Sequence, residues 1–291
     1  PGVLSTGVKP PQVPYRGDTF TATRLYARVS VAPSGQAITV QIRRNGTSMG
    51  TVTIAASAQT GEADVNVSVS SGEYFDIKPK WAKTIITCFA RFGGRPVGIV
   101  ASQPKVMAGI LENDSADKSA RFINLCDAFN IPLVFLQDVP GFMVGSKVEH
   151  EGIIRHGAKM LYAVSRATVP KITVVIRKAY GAGYYVMCGK AYEPDLVVAW
   201  PSAEISVMGA EGAVNIIFRK QIDAADDPDA TREELVNNFK EIIDPYIAAG
   251  NAMIDDIIDP RETRPTIIRG LEMAEDKRIA RPWKKHGVMP V

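Results

Sequence analysis

Residues 174–187, VVIRKAYGAGYYVM, run from an apolar stretch through a basic pair into two glycines separated by one alanine. That order reads as a strand, a tight turn and a helix start. Glycine admits close backbone approach and unusual φ, and the first amides of a helix lack partners within it, so they can face developing negative charge. The candidate donors are the N–H groups of Ala182 and Gly183. A turn that only packs gives the same pattern, and a short glycine-rich turn does not by itself decide between the two.

Conventional catalytic groups are scarce. His150, His156 and His286 are the only imidazoles, and none falls at HExxH or another metal spacing. There is no GxSxG elbow and no Walker loop. His156, beside Arg155 on an expected helix, reads as a helix-surface or interface residue. Asp138, just before Pro140 and Gly141, is either a base or a turn former; Glu204 and Glu211 stay equally open. The chemistry therefore falls on backbone groups. Glycine-containing loops at Pro140–Gly141, at Gly181–Gly183 and at Gly209–Gly212 each follow an expected strand and should gather at one edge of a sheet. Preorganised N–H donors there would stabilise an enolate or ureido oxyanion, with each good donor worth about 3 kcal/mol of barrier. This suits acyl-thioester chemistry that needs no covalent nucleophile and no metal.

The elements that must hold these loops follow from patterning. Residues 1–18 are rich in Pro and Gly and read as an irregular lead-in. Residues 19–71 form a small all-β module: four alternating, β-branched runs separated by turn signals, with PSG at 33–35 and NG at 45–46 as hairpin turns. At about residue 72 the texture changes. A hairpin is expected from strands 85–92 and 95–101 around Gly93 and Gly94, then an amphipathic helix at 115–129 with Ala116, Ala120, Ile123, Leu125 and Phe129 inward and Lys118 and Arg121 outward. A buried strand follows at 131–137, a helix at 152–166, a strand at 171–176 and a helix starting at 183–188. A strand at 196–200, a helix at 213–220, a capped helix start at Thr231 and a terminal helix with a basic tail complete the order. Alternating strands and helices argue for an α/β core of right-handed crossovers, with ligand sites at the carboxyl ends of the strands.

Composition bounds the function class. The 291 residues are 46% hydrophobic and can fill a sizeable core. The net charge of +3 lies in residues 1–71, which hold six basic against three acidic residues. No basic stripe marks a nucleic-acid surface. Cys88, Cys126 and Cys188 are odd in number and lack CxxC spacing, so they read as buried thiols of a reducing cytoplasm. No apolar run is long enough to cross a membrane, and no signal peptide is apparent.

The stretches EYFDIKPKWAKTIITCFARFGGRPVGIVASQP, ARFINLCDAFNIPLVFLQDVPGFMVG, EGIIRHGAKMLYAVSRATVPKITVVIRKAYGAGYYVM, AWPSAEISVMGAEGAVNIIF and RIARPWKKHGVMPV resemble the C-terminal half of the carboxyltransferase (β) subunit of biotin-dependent acyl-CoA carboxylases, of the propionyl-CoA carboxylase β-chain type. The resemblance spans residues 72–291 and implies a crotonase-like (ClpP/crotonase) fold. It implies movement of CO2 from carboxybiotin on a carrier protein to the α-carbon of a short acyl-CoA, inside an oligomer served by a biotin carboxyl carrier protein and a biotin carboxylase subunit. It places the biotin oxyanion donors at Ala182 and Gly183, and the substrate and biotin lining at Gly141, Phe142, Tyr180, Gly181, Tyr185 and Gly209. Tyr185 falls where the family tunes acyl choice. GAGYYVM replaces the commoner GGAYDVM there, so the acyl chain stays unnamed. Carboxyltransferase chains of acyl-CoA decarboxylases share this half.

Residues 1–71 do not resemble the family's N-terminal half, which supplies most acyl-CoA contacts. In texture they are similar to part of a β-sandwich module of phage tail or fibre proteins, and equally to a plain solubilising or adhesive module. A join at SSGEYFDI in a chimaeric chain is the resulting expectation. Three functions stay open: an enzyme completed by a partner's N-terminal half, a carrier-docking module without turnover, and a β-rich attachment protein.

Overall fold

The computed structural model describes the backbone of residues 4–5, 20–29, 38–44, 47–54, 60–69, 74–280 and 288–290, with side chains from residue 76 onward. The expected turns at 33–35 and 45–46, most of the 1–18 lead-in, the start of the proposed join, and His286 in the basic tail lie outside the described residues. Contacts divide the chain into two units, Pro1–Pro79 with Cys88–Val97, and Lys80–Thr87 with Gly98–Val291.

The first unit holds β1 (Leu4–Ser5), β2 (Phe20–Val29), β3 (Ile38–Arg44), β4 (Thr47–Ile54), β5 (Thr60–Val69), β6 (Tyr74–Asp76) and most of β7 (Ile85–Phe92). The four runs expected within 19–71 are all strands, and every pairing among them is antiparallel. β2 lies between β1 and β5, and β3 between β4 and β6, while β6 continues onto β7.

In the second unit a parallel sheet runs in the order β8 (Arg95–Ser102), β9 (Leu133–Val139), β10 (Lys171–Tyr180), β11 (Leu196–Ala199) and β13 (Asp256–Ile257). Between β8 and β9 comes α1 (Asn113–Ala128), and between β9 and β10 come α2 (Ser146–His150) and α3 (Ile153–Arg166). A short helix, α4 (Gly181–Val186), follows β10 directly, and a three-residue strand, β12 (Glu204–Ser206), follows β11. The rest is α5 (Ala210–Ile217), α6 (Arg219–Asp223), α7 (Pro228–Ile242), α8 (Pro245–Gly250) and α9 (Thr263–Met273). Parallel strands covered on both faces must be apolar throughout. Accordingly Leu133, Val134, Phe135, Ile172, Val174 and Val197 are fully buried. α1 packs close to β8 because Gly98 has no side chain; a Cβ there would run into Cys126 Sγ.

Several boundaries differ from the sequence reading, each for a local reason. α7 begins at Pro228, not Thr231, because the Asp227 carboxylate accepts from the amides of Asp229 and Ala230 and Pro228 fills the first helical position. The helix expected at 213–220 starts at Ala210 and breaks at Phe218 into α5 and α6. α1 buries Ala116, Ala120 and Ile123 and exposes Arg121 as expected, but Phe129 is 42% exposed and Lys118 is buried. The ammonium of Lys118 is accommodated by three carbonyls, donating to Trp81 O at 2.9 Å, Ala82 O at 3.3 Å and Ile85 O at 2.8 Å. A long amine thus closes the loop before β7 onto α1, and its pattern looks like that of a surface lysine.

Replacing Lys118 by Met should keep the volume and strand three carbonyls without their shared donor. A loss of about 1–3 kcal/mol is expected, read as a lower urea midpoint at unchanged m-value; an unchanged midpoint would show that water replaces the amine freely.

Candidate active site

β10 outruns its neighbour. Ile172–Val175 pair with Leu196–Ala199 of β11, the ladder to β9 then shifts between Val175 and Ala179, and Lys178–Tyr180 pair with Glu204–Ser206 of β12. At its carboxyl end β10 therefore lies between β9, with Ala179 opposite Val139, and β12, with Tyr180 opposite Ser206. The three glycine loops follow these three strands. Short β12, hidden in PSAEIS, is the element that the sequence reading missed; the expected strand at 196–200 does not itself lead into the third loop.

The opening turn is tighter than expected, because Gly181 is already the first residue of α4. Its φ of +52° is left-handed, and a Cβ there would sit 2.8 Å from the Val207 carbonyl oxygen. Gly183 is buried, and a Cβ on it would meet Val139 Cγ2 at 3.0 Å and Gly141 Cα at 3.1 Å. Gly141 has a φ of +130°, and Gly209 lies over the Tyr180 ring, where a Cβ would meet Cε2 at 2.9 Å. The loops after β9, β10 and β12 thus come together as expected, each approaching another through a glycine. Phe142 pairs with Leu111 in an isolated bridge, and its ring packs on Gly157 of α3, where a Cβ would be 3.1 Å away.

Ala182 and Gly183 stand in the first turn of α4, so their amides have no acceptor in the helix, and none among the described residues takes them. Ala182 is exposed. At the other end of α4 the orphan carbonyls are held by Gln137, whose Nε2 donates to Met187 O at 2.7 Å and Tyr184 O at 3.4 Å. Gln137 is fully buried in β9; a polar residue in an otherwise apolar run was the signal that could have found it. The Tyr184 hydroxyl donates to Met253 O at 3.0 Å and accepts from the Lys190 amide at 3.0 Å. Tyr185 is 42% exposed and meets Tyr184 and Tyr192 edge-on, with ring centroids 5.4 Å and 6.3 Å away.

Of the side chains that could have served as bases, Asp138, Glu204 and His156 are occupied. Asp138 takes a fork from Arg177, with Nε to Oδ1 at 3.2 Å and Nη2 to Oδ2 at 3.0 Å, and accepts from the Lys178 amide. This pairing raises the Arg177 pKa. Glu204 accepts from the Tyr180 hydroxyl; burial first, and then Glu204, pushes that phenol above its ordinary value, so it stays protonated. Glu211 is exposed. His156 Nδ1 lies 3.0 Å from Asp117 Oδ1 in a half-buried group with Lys159 between α1 and α3. His150 is exposed on α2. Among the described residues no group of His, Cys, Asp and Glu could hold a metal ion, and no helix is long and apolar enough to cross a membrane.

The chain has relatives among known proteins. Residues 52–289 match the carboxyl transferase domain family. The chain is 57% identical over 223 residues to the methylmalonyl-CoA carboxyltransferase 12S subunit of Propionibacterium freudenreichii subsp. shermanii, covering 76% of this chain and 43% of that protein. It is 50% identical over 228 residues to the carboxyltransferase subunit of propionyl-CoA carboxylase from Haloferax mediterranei, covering 78% and 44%. The crystal structure of the transcarboxylase 12S hexamer with methylmalonyl-coenzyme A bound superposes with a TM-score of 0.72 at 57% identity, covering 76% of this chain and 42% of that one. The chain therefore spans less than half the length of the curated relatives it matches.

All three cysteines are buried, as expected, and burial pushes the Cys188 thiol up to about 11. Under native conditions a disulfide reagent at neutral pH should titrate none of Cys88, Cys126 and Cys188, and all of them in urea; a fast-reacting thiol in the native chain would reopen a nucleophilic mechanism.

Proposed function

Because the chain belongs to the carboxyl transferase domain family and has its crotonase-like α/β fold, we propose that residues 72–291 are the carboxybiotin-facing half of an acyl-CoA carboxyltransferase. The observation that carries this reading is the convergence of three glycine loops beside the two unaccepted amides of Ala182 and Gly183. Such a donor set fits a carbonyl-type oxygen on which negative charge builds, and the ureido oxygen of biotin is one. The Asp138 carboxylate is charge-paired with Arg177, while Glu204 accepts from the neutral Tyr180 hydroxyl and keeps its charge.

In the proposed site, Ala182 and Gly183 donate to the ureido oxygen and hold it in place. The walls are Gly141 and Phe142 on one side and Gly181 and Gly209 on the other, with Tyr180 beneath. Carboxybiotin, delivered on its carrier protein, supplies CO2 and, through N1, the base for the α-proton of the acyl-CoA. No nucleophile from this chain is required, so the protein's contribution is electrostatic preorganisation. Exposed Tyr185, standing at the mouth of the turn, contacts the acyl group. Propionyl-CoA and methylmalonyl-CoA are the substrates suggested by the names of the relatives. A biotin carboxylase subunit regenerates the carboxybiotin, and the protein works as a homo-oligomer in the cytoplasm. The small β module of residues 19–71 stands outside this chemistry.

A carboxyl-transfer assay from carboxybiotin to propionyl-CoA, run with and without the N-terminal half of the 12S subunit, tests the assignment. Turnover is expected only when that half is added. Turnover by the chain alone would overturn the division of labour, and none in either case would favour a carrier-docking module. In the active mixture Gly183→Val, which forces a branched side chain against Val139 and Gly141, should cost at least about a hundredfold in rate. An unchanged rate would remove the donor assignment.

A further inference from the structure

We infer that Glu204, acting through the Tyr180 hydroxyl, is a positioning residue that fixes the donor turn against the third glycine loop. This deepens the carboxyltransferase reading and rests on it for the identity of the donors. Tyr180 is the last residue of β10 and the direct predecessor of Gly181, so its side chain anchors the point at which the strand becomes the donor helix. Tyr180 is 6% exposed, and its side chain has two separate attachments, one on β12 and one in the loop after it. The ring supports Gly209, which can approach Cε2 only because it has no Cβ. The hydroxyl donates to Glu204 Oε2 on β12. In register Tyr180 faces Ser206 and Lys178 faces Glu204, so the bond runs diagonally between residues on one face of the sheet.

β12 needs such a tie. It is three residues long and pairs with β10 over three positions; beside that pairing the Ile205 amide donates to Ile243 O at 3.1 Å and the Ile205 side chain packs against the core around Ala179 and Tyr184. The next residue, Val207, presents the carbonyl that Gly181 touches, and Gly209 lies two residues further on. A slide of β12 along β10 would therefore move both surfaces against which the Gly181–Gly183 turn is set. The Tyr180 hydroxyl gives its proton to Glu204, and its action in positioning is through the backbone that it holds.

The test compares wild-type full-length chain with Tyr180→Phe, Glu204→Ala and Glu204→Gln, reading amide hydrogen exchange over residues 178–184 together with kcat and KM in the reconstituted transfer assay. Phe keeps the ring beneath Gly209 and removes the hydroxyl. Gln keeps an oxygen that can accept from it and removes the charge. Tyr180→Phe and Glu204→Ala should raise exchange of the amides of residues 178–180, which lie in the ladder between β9 and β12, at least fivefold and lower kcat about ten- to a hundredfold, as expected for a small misplacement of donors, with KM for biotin moving less than threefold. Glu204→Gln should restore both readings to within threefold of wild type. Wild-type exchange and kcat in Tyr180→Phe would overturn the inference, and so would a Glu204→Gln variant as damaged as Glu204→Ala, since the charge and not the tie would then be what matters. If wild type itself transfers no carboxyl group while exchange follows the predicted order, the carboxyltransferase reading fails and the positioning of the turn stands.

Discussion

The proposed site depends on three chain segments approaching more closely than side chains allow. Gly181 touches the Val207 carbonyl in a left-handed conformation, Gly183 fits between Val139 and Gly141, and Gly209 rests on the Tyr180 ring. A methyl group at any of these positions would fall at or within about the van der Waals limit of backbone or a packed ring, so the separation of the loops would have to grow. Because the donors are main-chain amides, that separation is the catalytic variable. Chemistry carried by side chains can be tuned by rotamers, whereas chemistry carried by the backbone is tuned by how strands end.

The rest of the second unit can be understood as holding those strand ends. β9 and β10 are locked by the Asp138–Arg177 fork at the place where their ladder shifts register. Gln137 grips the last carbonyls of α4 from below, and Tyr184 ties the same helix to Met253 and Lys190. Further back, Lys171 has its ammonium buried at the start of β10, donating to Val164 O at 3.3 Å and Tyr192 O at 2.6 Å. Burial lowers its pKa, which is the cost of desolvating a cation whose partners are carbonyl dipoles. Gln137, Asp138, Lys171 and Tyr184 are buried, each with a backbone or charged partner that the strand-to-helix transitions leave open.

How much of this was legible depends on whether a feature is local. The strands β7 to β10 announce themselves by apolar runs and the Gly93–Gly94 turn, and α3 by its periodicity, because burial on both faces or one stripe leaves a mark on consecutive residues. The meeting of the first two glycine loops followed from strand order, whereas the third reaches them through β12. Lys118 and Gln137 were not legible in the same way. Their burial is permitted by carbonyls distant in sequence, and a lysine that donates to three carbonyls looks like any solvated one. β12 was missed because three residues show no periodicity, and its existence depends on β10 extending beyond β11. The Asp227 cap was present in DDPDAT, but the Thr four residues on gave a competing start. The family resemblance supplied the ligand for Ala182 and Gly183, which no spacing could.

Backbone donation to biotin is the claim from which the remainder follows. It is tested most directly by titrating the 15N-labelled chain with biotin methyl ester and following the amide resonances of Ala182 and Gly183. A saturable downfield shift of these two amides, absent with an analogue whose ureido oxygen is replaced by an imino group, is the predicted result. Saturable binding that moves other resonances while these two stay fixed would contradict it.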